Sequence, residues 1–199
     1  MNLRLDILLA LVVFCVVSSV TPGPNNLMLM ASGVNYGVRR TLPHLLGVSF
    51  GFALMVALVG MGLDALFRFA PWAFSVMKYA GAAYLLWLAA KIARAGVVKD
   101  GAAAGRPLGF LGAAAFQWIN PKGWVIAVSA LTAYAASEDY ATSVAVVALV
   151  YLACLPCSAL WVVFGAAMRR FLANDRHARA FNWTMAALLV ASILPTLRE

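Results

Sequence analysis

The chain is a succession of apolar runs, each about as long as a bilayer crossing, separated by short charged breaks. The runs cover roughly residues 5–34 with a break at 21–26, then 42–63, 70–90, 108–136, 141–168 and 180–197. A helix needs about 20 mainly apolar residues to cross the hydrocarbon of a bilayer. Among 199 residues, 64% are hydrophobic and 11% charged, where a soluble domain carries about 25% charged residues. No soluble fold of this size hides so much apolar side chain. The expectation is an all-α integral membrane protein with six transmembrane helices and the lipid bilayer as its solvent.

The net charge of +8 does not indicate a nucleic-acid partner, because the 15 Lys and Arg form no single basic face. They cluster between the apolar runs, as bilayer orientation requires. Arg39, Arg40, Lys91, Arg94, Lys99, Arg106, Arg169, Arg170, Arg176 and Arg179 fall on one side, and Arg4, Arg68 and Arg198 on the other with Asp6, Asp64, Glu138, Asp139 and Glu199. The richer side is cytoplasmic, which places both termini outside. Met1–Val20 has some features of a cleavable signal, but the apolar character resumes at Leu27, so the stretch reads as the first helix. Pro43, Pro71 and Pro107 each lie where a first helical turn is expected to begin, a position that tolerates a missing N–H.

The segment Gly96–Gly105 is a short cytoplasmic loop rather than a linker, so the expectation is a single transmembrane transporter domain over residues 1–199. Pro22 and Pro121 are 99 residues apart, half the chain, and each interrupts an apolar run with Asn and Gly nearby. Three helices per half give two inverted repeats, about 1–95 and about 106–199, with broken helices 1 and 4. Secondary transporters of this build bind substrate at the breaks, near the midplane.

Two motifs carry the chemistry. In Thr21-Pro22-Gly23-Pro24-Asn25-Asn26, two prolines remove backbone donors and the helix restarting near Pro24 or Asn25 has unpaired N–H groups. Inside a bilayer these must face protein, water or ligand, and a helix N-terminus suits a carboxylate. In Gln117-Trp118-Ile119-Asn120-Pro121-Lys122-Gly123, Lys122 sits roughly 15–22 Å deep at about 1.5 Å per residue. A lysine at such depth costs about 2.5 kcal/mol or more unless it reaches a polar cavity. Lys122 either lines the substrate path or is satisfied by carbonyls freed around Pro121. Lys78 has two readings, the substrate path beside the small face of Gly81 and Ala82, or a stem that snorkels to the outer interface.

Other features are weaker. Gly47, Gly51, Gly60 and Gly62 include a small-xxx-small spacing compatible with a homodimer. His44 is either interfacial or a proton-coupling group. Cys154-Leu155-Pro156-Cys157 has redox spacing but no basic neighbour, and reads as helix packing. Neither a metal site, a cofactor site nor a catalytic triad is legible, and the chain reads as a non-enzyme. No Asp or Glu falls in the middle of any run, which favours a zwitterionic or anionic cargo over a cationic one.

Thr21 through Asn26, the following Gly37 and Arg39, Gly47 and Gly51, then Lys78-Tyr79-Ala80-Gly81-Ala82-Ala83-Tyr84-Leu85 and Asn120-Pro121-Lys122 together resemble the LysE/RhtB family of amino-acid exporters, over nearly the whole chain. The resemblance implies a six-helix antiporter of the bacterial inner membrane that moves amino acids outward at the expense of the proton gradient. Trp87–Ala93 and Ser129-Ala130-Leu131-Thr132 are most similar to the subgroup that exports cysteine and O-acetylserine. A Pro-Gln-Phe signature frequent in the family is replaced by Leu131-Thr132-Ala133-Tyr134, a departure from lysine, threonine and homoserine exporters.

The resulting expectation is alternating access around a site formed by Thr21, Pro22, Gly23, Pro24, Asn25, Asn26, Gln117, Asn120, Pro121 and Lys122, with Lys78 as a further polar contact. Its ligands are a small amino acid and protons. The alternatives are a membrane thiol-disulfide electron carrier and a passive channel.

Overall fold

The computed structural model describes residues 5–63, 71–94, 106–135 and 139–193, except the side chains at positions 63, 71, 73, 74, 77 and 78. Lys78 and the Gly96–Gly105 loop therefore lie outside what is described. Among the described residues all regular structure is helical. The elements are α1 (Leu5–Val20), α2 (Pro24–Leu58), a wide turn (Val59–Leu63), α3 (Pro71–Ala93), α4 (Phe110–Phe116), a tight turn (Gln117–Ile119), α5 (Pro121–Tyr134), α6 (Tyr140–Ala153), α7 (Leu155–Met168), a second tight turn (Phe171–Ala173) and α8 (Asp175–Ala191).

α1 shows why this is a membrane fold. Leu11 and Cys15, one turn apart, are buried, while Leu9, Val13 and Val17 on the opposite face are 56%, 62% and 60% exposed. A stripe of exposed large aliphatics matches lipid. Pro24–Gly62 and Tyr140–Met168 are each long and apolar enough to cross a bilayer, and α1, Tyr79–Ala93 and Phe110–Ile119 are shorter apolar helices. α1 and Phe110–Ile119 end at breaks in the chain, not where the apolar character ends.

Several boundaries differ from the sequence expectation. The first break is narrower than 21–26, since α2 already begins at Pro24. α2 spans 35 residues, about 52 Å at 1.5 Å per residue and too long for one crossing. It turns at Gly37, whose φ of 74° and ψ of 174° suit glycine alone. Pro43 accordingly lies inside α2, past a break set by glycine, and does not start a helix. Pro71 does open α3, whereas Pro107 precedes α4, which is capped by Gly109.

The run expected to be continuous over 141–168 is interrupted at Cys154 (φ −77°, ψ 4°), because Pro156 two residues later has no N–H to continue the ladder. α8 starts at Asp175 rather than near 180. Asn174 Oδ1 accepts from the Arg176 N–H at 2.9 Å, so a polar first turn is helical before the apolar stretch begins.

α2 is the central element and packs against α4, α6 and α7, while α3 packs against α8. The α2–α7 crossing is a backbone contact: a Cβ on Gly33 would meet the Val162 carbonyl, and one on Gly165 the Met30 carbonyl. Two apolar clusters flank the breaks. One holds Leu11, Cys15, Met55, Trp124 and Tyr151, and the other Leu27, Leu85, Phe116, Met185 and Leu189. The polar residues of the breaks lie between them and face each other and a partly open space.

Candidate functional site

Two helix interruptions lie side by side. The first is Thr21–Gly23, between the C-terminus of α1 and the N-terminus of α2. The second is Asn120, extended at φ −87° and ψ 103° between the Gln117–Ile119 turn and α5. Both restarts have Pro at the first helical position and no side-chain cap. Leu27 N–H reaches the Gly23 carbonyl at 2.9 Å. The N–H groups of Asn25 and Asn26 precede it and have no carbonyl of their own helix to bond.

Polar side chains tie the two breaks together. Asn25 Nδ2 donates to Gln117 Oε1 at 2.8 Å, and Gln117 Nε2 donates to Asn25 Oδ1 at 3.2 Å. Gln117 is fully buried and its amide also reaches the Ala113 carbonyl at 2.8 Å. Asn26 Nδ2 donates to the Ser19 and Thr21 carbonyls at 2.7 and 2.9 Å, which satisfies acceptors left open where α1 ends.

Lys122 is held across the gap. Its Nζ donates to the Thr21 carbonyl at 3.0 Å and the Pro22 carbonyl at 3.1 Å. The carbonyls that receive it are those of the first break, not those around Pro121. An ammonium at the C-terminal end of α1 also meets the negative end of that helix dipole. Gly23 makes the approach possible: a Cβ there would lie 2.8 Å from Lys122 Cδ and 3.0 Å from Nζ.

These groups open onto a cavity of about 70 Å³. The break residues Gly23, Pro24, Asn25, Asn26, Asn120 and Lys122 line it, together with the hydroxyl and aromatic residues Ser18, Ser19, Ser49, Phe52, Tyr151 and Ser158 and with Val48, Gly123 and Ile126. Ser18 Oγ and the Tyr151 hydroxyl share a hydrogen bond at 3.3 Å, and Phe52 meets Tyr151 edge to face at 4.8 Å between ring centroids. Asn120 Oδ1 is buried and has no donor among the described residues.

Of the residues singled out in the sequence, six line the cavity: Gly23, Pro24, Asn25, Asn26, Asn120 and Lys122. Thr21 and Pro22 contribute their carbonyls to Lys122, Gln117 holds Asn25, and Pro121 is buried as the first residue of α5. Sequence reasoning misses the hydroxyl lining. Its signal is present as isolated Ser and Tyr inside apolar runs, Ser18 and Ser19 directly before the first break among them. Cys15, Cys154 and Cys157 are free thiols.

A family model described as LysE type translocator matches residues 16–194. This chain belongs to the LysE family of translocators. The cysteine/O-acetylserine efflux protein of Escherichia coli (strain K12) is 33% identical over 180 residues, covering 89% of this chain and 90% of the relative. Proteins of the same description from Shigella flexneri serotype 5b (strain 8401) and Escherichia coli O1:K1 / APEC are 33% and 32% identical over the same lengths. No solved structure matches. The translocator is a membrane transporter and not an enzyme.

Proposed function

We propose that the translocator exports small neutral amino acids or their derivatives, cysteine and O-acetylserine among them, across the bacterial inner membrane in exchange for protons. Its cargo sits in the cavity between the two breaks. The observation that carries this reading is the position of Lys122 Nζ, pinned to the Thr21 and Pro22 carbonyls beside the uncapped start of α2. An ammonium and two backbone N–H groups then converge, a setting for a substrate carboxylate.

The rest of the lining favours a zwitterion. Among the described cavity residues no carboxylate waits for a cationic side chain, and the substrate's ammonium and side chain meet Ser18, Ser49 and Ser158 hydroxyls and the faces of Phe52 and Tyr151. Small polar side chains such as a thiol or an ester fit such a lining. Lysine does not, because its second ammonium finds no countercharge.

In this reading the chain is one transporter domain of six spans, built as inverted repeats of about 1–95 and 106–199, with both termini outside. The side-by-side breaks with matching Pro-led restarts support it. Alternating access then rocks one half against the other around the tied polar pair.

Counterflow in proteoliposomes with labelled O-acetylserine, cysteine and lysine tests this. Exchange of the first two and not of lysine is expected. Exchange of lysine, or of none of the three, contradicts the reading.

A further inference from the structure

His44 is 2% exposed, and neither ring nitrogen has a hydrogen-bond partner among the described residues. A buried polar group left without a partner costs about 1–3 kcal/mol, and here two such atoms share one ring. An imidazole in this condition is suited to a species that comes and goes rather than to a fixed contact.

Its location says which species. Val48 and Ser49, four and five residues further along α2, line the cavity, as does Phe52 a turn beyond. His44 thus lies on the cavity-facing side of α2, about 6 Å from Val48 at 1.5 Å per residue, toward Gly37. In the other direction, Thr41 Oγ1 donates to the Gly37 carbonyl at 2.8 Å and lies 3.4 Å from Ser32 Oγ, so polar groups continue to the Gly37 turn, which Arg39 and Arg40 follow in the chain. His44 lies along α2 between the cavity-lining Val48 and Ser49 on one side and the Thr41 hydroxyl on the other.

The titratable groups on the cavity side are Lys122 of α5 and Tyr151 of α6, which line the same cavity as Val48 and Ser49. Leu45 and Val48, which flank His44, pack with Ala113 of α4 and Val162 of α7. α4 carries no titratable residue and α7 only Cys157. Arg39, Arg40 and Arg106 near these ends are exposed, and Arg169 follows α7. The described acidic residues, Asp6, Asp139 and Asp175, stand at the starts of α1, α6 and α8.

We propose that the His44 imidazole carries the proton between the cavity and the cytoplasmic turn at Gly37 within α2 during export. One ring nitrogen takes a proton from the cavity side and the other releases one toward the Gly37 turn, after which the ring returns to its first tautomer. Nothing is oxidised or reduced, and one proton enters for each that leaves. The proposal rests on the export reading above and deepens it by naming the coupling group.

The test separates the two. In proteoliposomes, His44→Gln is expected to keep counterflow of labelled O-acetylserine, which needs no net proton movement, and to lose uphill accumulation driven by an imposed pH gradient. Unchanged gradient-driven accumulation in the variant overturns the assignment, as does loss of counterflow in a variant that still melts like the wild type. Absence of counterflow in the wild type would instead defeat the export reading.

A second measurement leaves His44 in place. The chain has two histidines, so in a His177→Asn background ring-nitrogen NMR reads His44 alone. Its protonation is expected to change with pH and to respond to saturating O-acetylserine. A ring that keeps one protonation state at every pH where the protein is folded overturns the proposal.

Discussion

The side-chain amides of Asn25 and Gln117, 92 positions apart, hydrogen-bond to each other in both directions, at 2.8 and 3.2 Å. Each residue belongs to a different helix interruption, so this pair fixes the spacing of the two breaks. It also accounts for Gln117 being fully buried in an apolar helix end, since its amide is satisfied by Asn25 and the Ala113 carbonyl.

Replacing Gln117 with Leu keeps the volume but strands the Asn25 amide. The expected outcome is a loss of about 1–3 kcal/mol of stability, read as a lower melting temperature in detergent. Simultaneous Asn25→Leu is expected to recover part of the stability while transport stays lost. A double variant no more stable than Gln117→Leu would show that the pair is not coupled.

Gly165 lies against the Met30 backbone, where a methyl group would collide with the carbonyl rather than with a flexible side chain. Gly165→Ala is therefore expected to force α2 and α7 apart and to destabilise by about 1–3 kcal/mol. A thermal melt of the purified variant checks this, and an unchanged midpoint would mean that the crossing is looser than this contact requires.

Gly23 is a different case, because its backbone is extended at φ −177° and any residue adopts that conformation. What an alanine methyl meets there is the flexible end of Lys122. Gly23→Ala is expected to leave the melting temperature near that of the wild type while displacing the ammonium from one of its carbonyls. Losing one charge-assisted hydrogen bond weakens substrate binding by roughly tenfold. A titration of O-acetylserine in counterflow measures it.

Much of this arrangement is legible in the sequence. The apolar runs, the two proline-led restarts and a lysine within an apolar run all follow from what a bilayer forbids: unpaired backbone groups and an unsatisfied charge. The partner of Lys122 is not legible there. Local reasoning points to carbonyls around Pro121, whereas the carbonyls of Thr21 and Pro22 accept, and only tertiary packing brings a residue 100 positions away into reach.

The turn at Gly37 is hidden for a related reason. Pro43 offers a plausible helix start, and sequence cannot show that the chain turns at a glycine before reaching it. The hydroxyl lining escapes because single Ser and Tyr residues in membrane helices are common, and their convergence on one space is a property of the fold. The break at Cys154 is obscured by a run apolar on both sides of it.

The proposed role of Lys122, pinned across the two breaks to receive the substrate carboxylate, is tested most directly by counterflow of labelled O-acetylserine. Proteoliposomes would contain wild type or Lys122→Ala at equal, membrane-inserted amounts. The variant is expected to insert normally and to exchange nothing above empty vesicles. Exchange by Lys122→Ala at the wild-type rate would contradict that role.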